Sequence, residues 1–203
     1  MEFNESISKL EMPNLNDLEL SLRSKRQLGK LLGVHGLPSH RGKLLADWYV
    51  RLTEKAIIEY EEARQKLYKF LQEGFAGDYF RSQDHFETCI NSLNRAIEYL
   101  ERIRGLGLKS PDGKPFIPKP RELEILSEKT RSQIRNFRDA CEHIDKDIVK
   151  PSFPLDQEIG IHLGWDKAII LDHKIQYKDL AKWIKQTHNF ALLLSQVKII
   201  VAP

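Results

Sequence analysis

Cysteine is nearly absent: the chain has only Cys89 and Cys141. Both fall on or beside apolar positions of expected helices, where cysteine behaves as a small hydrophobe. No Cys or His pair has zinc-ligand spacing. A disulfide-stapled scaffold and a zinc module are therefore not expected, and a reducing, cytoplasmic location is. Long apolar runs are missing too. Runs such as residues 168–171 and 191–194 are far too short to span a bilayer, so no membrane partner is expected. The start, Met1-Glu2-Phe3-Asn4-Glu5, lacks the basic region and apolar core of a signal peptide. Nor is there a large excess of one charge: 32 Lys+Arg stand against 29 Asp+Glu, a net +3. An excess that small accounts for solubility and does not by itself make a nucleic-acid binder. There is no internal repeat and no low-complexity tract.

What the chain does have is helical periodicity. Residues 1 to about 12 are polar and expected to be loose. Asn16-Asp17 can cap a short helix through about Leu32, ended by Gly33, Gly36 and Pro38. A long helix over about 41–74 follows from Leu45, Tyr49, Leu52, Ala56, Tyr60, Ala63, Leu67 and Phe70. Gly74 and Gly77 stop it, and Asp78 is placed to cap the next. That helix, about 78–105, carries Phe86, Ile90, Leu93, Ile97, Leu100 and Ile103. Residues 108–120 hold Pro111, Pro115, Pro118 and Pro120 and read as an extended linker. A charged helix over about 121–149 follows, closed by Pro151 and Pro154. Apolar runs around Gly164-Trp165-Asp166 then predict a hairpin, about 158–176. A last helix, about 177–198, carries Leu180, Trp183, Ile184, Ala191, Leu194 and Val197. The expected fold is mainly α: an antiparallel bundle of four to five helices with a small β-hairpin before the last, covering one end. Residues 1–40 read as an extension with a short helix, and 41–203 as the bundle.

Residues 135–145 are where the sequence points to chemistry. The apolar seam of this helix is Ile134, Phe137, Cys141, Ile144 and Ile148. At about 100° per residue, Arg138 lies roughly 80° from the seam centre and Arg131 about 100°. Asp139 and His143 lie on the far face, four residues apart. Arg135–Asp139 and Arg138–Glu142 are i,i+4 pairs, worth ~0.2–0.5 kcal/mol each on an exposed helix.

The pattern Arg138-Asp139-x-x-x-His143 resembles that of HEPN domains (higher eukaryote and prokaryote nucleotide-binding), helical bundles with this motif on a late helix. The resemblance covers roughly residues 41–198. It implies a metal-independent endoribonuclease of toxin or defence type, with no cofactor. Its partners would be an RNA substrate and an antitoxin or other protein. In such a site the RNA 2′-hydroxyl attacks the adjacent phosphate. His143 moves protons, Arg138 holds the phosphate oxygens, and Asp139 orients His143. Arg131 and Arg135 would add phosphate contacts. Arg138 and His143 are about 140° apart on a regular helix and offset by about 7.5 Å along it. Two facing copies would present them to one phosphate better than one helix can, so a homodimer is expected. The alternatives are a non-catalytic helical interaction module and a nucleotide-binding module that uses Arg138 for phosphate.

Other features have plainer readings. Ser39-His40-Arg41-Gly42-Lys43 lacks P-loop spacing and reads as the start of a helix. Lys109, Lys114, Lys119 and Arg121 make the proline linker basic, which reads as a solubilising loop. Trp48, Tyr49 and Tyr79 fall at or beside seam positions and are expected in the core. Trp165 sits at the hairpin turn and by default packs back on the bundle. His162 and His173 flank the hairpin without forming a ligand pair. Glu61 and Glu62 have no evident partner acid.

Overall fold

The computed structural model describes residues 9–31, 37, 39–109, 113–119, 122–149 and 160–195. The expected stops at Gly33, Gly36, Pro38, Pro151 and Pro154 lie outside these residues, as do Arg121 and Val197. The chain is mainly α with a small sheet before the last helix. The helices are α1 (Leu22–Leu31), α2 (His40–Glu73), α3 (Ala76–Arg104), α4 (Glu128–Ile148) and α5 (Tyr177–Ser195). The strands are β1 (His162–Leu163), β2 (Lys167–Ile170) and β3 (His173–Gln176).

Helices α2 and α3 form an antiparallel hairpin with the most extensive contact in the molecule. Ser39 starts α2, its Oγ accepting from the Gly42 amide at 3.0 Å. Gly74 ends it in the left-handed region at φ +71°, where a side chain would be strained. Asp78 does not cap α3. That position falls to Phe75, and Asp78 sits inside the first turn, favourable to the helix dipole. Its carboxylate is 1% exposed, with Lys66 and Lys69 each at 3.4 Å. Burial alone would raise the Asp78 pKa, but the two lysines more than offset it and hold it below the usual range.

The remaining helices cover this hairpin. Phe137 of α4 meets Phe86 of α3 edge-on at 5.9 Å, and Arg131 meets Glu101, so α4 runs antiparallel to α3. Tyr177 of α5 meets the same Phe86 at 6.0 Å. All three rings are fully buried, and each such pair adds ~0.5–1.5 kcal/mol beyond its area. Helix α5 runs antiparallel to α2, with the Tyr49 hydroxyl donating to the Thr187 carbonyl at 2.7 Å.

The charged helix starts later than its pattern suggests. A 3₁₀ turn (Glu124–Leu126) precedes it, and Ser127 Oγ accepts from the Thr130 amide at 3.2 Å, setting the start of α4. Glu124 ties this turn to α5, accepting from Lys182 and, at 3.1 Å, from the Trp183 indole N–H.

The first helix also differs from expectation. Asn14 Oδ1 accepts from the Asn16 amide at 2.7 Å, which makes a turn there, and the helix waits until Leu22. Residues 9–31 are laid along α2. Leu10, Met12, Leu15 and Leu22 join the same core as the helices. Three acidic residues of α2, spaced by seven, hold them. Glu61 accepts from the Leu15 amide, Glu54 from the Arg23 amide at 3.0 Å, and Asp47 from Arg26 Nε at 2.5 Å.

The sheet has three antiparallel strands in the order β1-β2-β3. His162 pairs with Ile169 and Ala168 with Ile175. The expected hairpin is thus the first half of a meander. The second turn, at Leu171-Asp172, carries no glycine, and Leu171 adopts a positive φ of 50°. Tyr79 Oη accepts from the Leu163 amide at 3.0 Å, and Gln83 donates to the Ile161 carbonyl. These bonds fix the sheet over the bundle end at the α2–α3 turn.

Two outcomes follow. Leu15→Ala is expected to lower the unfolding free energy by about 2–5 kcal/mol in a single urea transition; an unchanged midpoint would mean that residues 9–31 are a mere appendage. Lys182 first, and Trp183 second, hold the Glu124 carboxyl below its usual range. Its stabilisation is complete above that range and is lost as pH falls through the lowered value. Glu124→Gln is expected to flatten the acid limb of stability measured between about pH 3 and 7.

Candidate functional site

Helix α4 is amphipathic, and its seam is closed only over its first half. Ile134 and Phe137 are fully buried, Cys141 and Ile144 partly, and Ile148 is exposed. Arg138 stands beside this seam and is 24% exposed. Its Nη2 lies 2.6 Å from Asp139 Oδ1 and 3.2 Å from Glu142 Oε2. The Glu142 pair has the expected i,i+4 spacing. Asp139 turns to its neighbour Arg138, in an ion pair whose angles do not make a hydrogen bond. Arg138 Nε is buried without a hydrogen-bond partner.

His143 is exposed, with Nδ1 3.3 Å from Lys146 Nζ. Asp139 therefore holds Arg138 here, and Lys146 is the neighbour of His143. Arg131 ties helices together, with Glu101 at 2.8 Å and Glu128 at 3.6 Å. Arg135 is exposed and has no ion-pair partner among the described residues. Burial pushes the Cys141 thiol up to about 12, with Glu87 and Glu142 adding to it, so it is no nucleophile at neutral pH. Burial, and then Asp84 and Glu142, also raise the Glu87 pKa.

The other singled-out residues divide. Tyr49 is core, but Trp48 is 41% exposed, contrary to expectation. It lies beside the α2 seam, stacked on Tyr99 of α3 and facing a cavity it shares with α1 residues. Tyr79 is part-buried and binds β1. Trp165 is 40% exposed, and its carbonyl accepts from the Glu11 amide at 2.7 Å. Glu61 clamps residue 15, a role visible in sequence only as a seven-residue acidic spacing.

Three cavities are described. One of about 400 Å³ lies between the α2–α3 turn and the β1–β2 turn, lined by Phe70, Tyr79, Leu163 and Trp165 among others. A second, about 170 Å³, is lined by Arg23, Asp47, Trp48 and Arg51 among others. A third, about 130 Å³, lies under the linker near Phe116 and Lys109. None of the three reaches Arg138 or His143. Among the described residues, no group of three or more His, Cys, Asp or Glu is placed to hold a metal ion. None of the described helices is long and apolar enough to cross a membrane. No protein-family model matches the chain, and neither does any curated protein or solved structure.

The two outer arginines are expected to separate in stability. Arg131→Gln breaks the tie to Glu101 and is expected to lower the unfolding free energy by about 0.2–1 kcal/mol. Arg135→Gln, without a partner to lose, is expected to stay within ~0.5 kcal/mol of the parent. Paired urea titrations check both.

Proposed function

We propose that the chain is a HEPN-like helical bundle that cleaves RNA without a metal, as a homodimer, through Arg138 and His143. The observation that carries this reading is the outward side of α4. There His143 is exposed with Lys146 beside it, and Arg138 is steadied by Asp139 and Glu142. A regular helix sets the two side chains about 140° apart, so one copy alone presents them awkwardly to one phosphate. Facing copies can, with His143 of each near the two-fold axis. The RNA 2′-hydroxyl then attacks the adjacent phosphorus, and the 5′-oxygen leaves. His143 moves the proton, a contribution of typically ~10²–10⁴-fold. Arg138 meets the non-bridging oxygens as charge develops on them. Asp139 acts through Arg138, as a positioning residue. Arg135 supplies a phosphate contact from the same helix. A toxin or defence role, with a protein partner that restrains it, belongs to this reading. So does a cytoplasmic location, where Cys89 and Cys141 stay reduced; both are free thiols here.

A second reading is favoured by a different observation. Arg138 already faces two carboxylates, and a phosphate must compete with both. On that account the bundle is a non-catalytic module for protein or nucleotide binding.

Purified protein incubated with mixed RNA in EDTA separates the two. The first reading expects cleavage that is lost, by about a hundredfold or more, in both Arg138→Ala and His143→Ala while the variants stay folded and dimeric. A stable monomer by light scattering, or undiminished cleavage in either variant, overturns it.

A further inference from the structure

We propose that the outer face of the α2–α3 hairpin is a platform for single-stranded nucleic acid. Bases would stack at Trp48 and Arg51, and phosphates would meet Arg23, Arg51 and Arg102. The platform uses other helices and other residues than Arg138 and His143, so it stands whether or not the chain cuts RNA.

The face carries a continuous ladder of planar groups. The Arg51 guanidinium lies over the Trp48 ring, 4.9 Å from its centroid. Trp48 of α2 stacks with Tyr99 of α3 at 6.3 Å, the planes 23° apart. The Arg102 guanidinium lies over Tyr99 at 5.2 Å. Each Arg–aromatic pair alone is a cation–π contact within its own helix, worth ~0.5–1 kcal/mol at an exposed site. Helix stability explains the pairs separately. It does not explain why Trp48 bridges them across two helices while staying 41% exposed. Burying a tryptophan removes a large apolar area from water, and here much of that area stays accessible.

The charges around the ladder complement phosphate. Beside Trp48 lies the cavity of about 170 Å³ lined by Arg23, Gln27, Asp47 and Arg51. Its one acid, Asp47, is engaged by Arg26, which is 4% exposed. Arg26 also donates to the Leu194 carbonyl at 2.7 Å and the Lys43 carbonyl at 3.0 Å, so it is fixed from below. Arg51 and Arg102 have no ion-pair partner among the described residues, and Arg23 acts on the buried Glu54 carboxylate without a direct ion pair. Guanidinium groups free of direct ion pairs around a ring stack fit a strand that alternates phosphates with flat faces. A base can replace Arg51 on the Trp48 face or stack on the guanidinium plane, and either leaves an arginine edge for phosphate. A duplex hides its base faces, so the ligand is single-stranded.

The test is fluorescence anisotropy of labelled oligo(dT) and oligo(rU), each of about 12 nucleotides, with the full chain in EDTA across a salt series. Oligo(dT) has no 2′-hydroxyl and cannot be cut by internal attack, so its binding is read independently of ribonuclease activity. Its loss would leave the cleavage reading untouched. Both oligomers are expected to bind at low salt. Trp48→Ala should weaken binding roughly 5- to 150-fold, while Trp48→Phe retains most of it. Arg51→Gln should reduce the slope of log K against log salt by about 0.7. Lys178→Gln, on an exposed position of α5, should match the parent. No binding of either oligomer overturns the proposal. So does unaltered binding in a folded Trp48→Ala, or equal affinity for a duplex. Oligo-glutamate bound as tightly as oligo(dT) would also overturn it, making the face a dock for acidic protein segments.

Discussion

The constraint on which the structure depends is that α2 and α3 are too apolar to be satisfied by each other. Each carries buried residues on more than one side: Tyr49, Tyr60 and Leu67 on α2, Phe86, Ile90 and Leu100 on α3. Burial at ~25 cal/mol per Å² drives every other element onto this hairpin. Helix α4 closes α3, α5 closes α2, and residues 9–31 close the seam between α2 and α5. Phe86 is where three of these helices meet, edge-on to Phe137 and Tyr177. The sheet then seals the end where the hairpin turns at Gly74.

Closing a seam with an irregular segment raises a second requirement. Backbone amides outside regular structure need partners once they are buried. On α2 the partners are carboxylates at seven-residue spacing. Glu61 serves Leu15, Glu54 serves Arg23, and Asp47 serves the Arg26 side chain. The same exchange has a cost at Glu54, where burial raises the carboxyl pKa despite the amides of Arg23 and Leu22 that lower it. His188 of α5 reaches the same segment at the Glu19 carbonyl, 3.0 Å away, and Lys185 faces Asp17 at 3.6 Å. The segment is thus held from both helices it covers.

Periodicity made the long helices legible because it reports which face of a helix is apolar. The seam of α4, the run from Leu45 to Phe70 and the stripe from Phe86 to Ile103 all carry that signal. It does not say which neighbour arrives, or how far its cover extends. Trp48 lies next to the buried Tyr49 yet stays half open, touching α3 through the Tyr99 ring and facing α1 across a cavity. The acidic spacing on α2 reads as a solvated face until residues 9–31 are laid against it. The third strand was hidden for a local reason: Leu171 takes a positive φ that sequence assigns to glycine or asparagine. The start of α4 was set by one hydroxyl, Ser127, rather than by the charge pattern. At the candidate site the Arg138–Glu142 contact was legible from spacing alone. The turn of Asp139 towards Arg138 was not, since adjacent residues on a helix do not normally face each other.

The two basic regions differ in what they offer an anion. Around Arg138 the nearest groups are Asp139 and Glu142, and the raised pKa of Glu87 records burial first, then Asp84 and Glu142. A phosphate approaching α4 meets carboxylates before it meets the guanidinium. On the α2–α3 face the order is reversed: Arg51 and Arg102 have no ion pair among the described residues, and Asp47, the acid lining the neighbouring cavity, is bound to Arg26. Attraction between exposed charges is screened over ~8–10 Å of physiological salt, so the first encounter of a strand is decided locally. It favours the ladder. For α4 to act on phosphate, something must draw Asp139 or Glu142 away from Arg138, and a second copy facing α4 with Arg135 and Lys146 carries the charge to do so. The chemistry proposed for α4 therefore requires assembly, whereas the binding proposed for α2–α3 requires only a single chain.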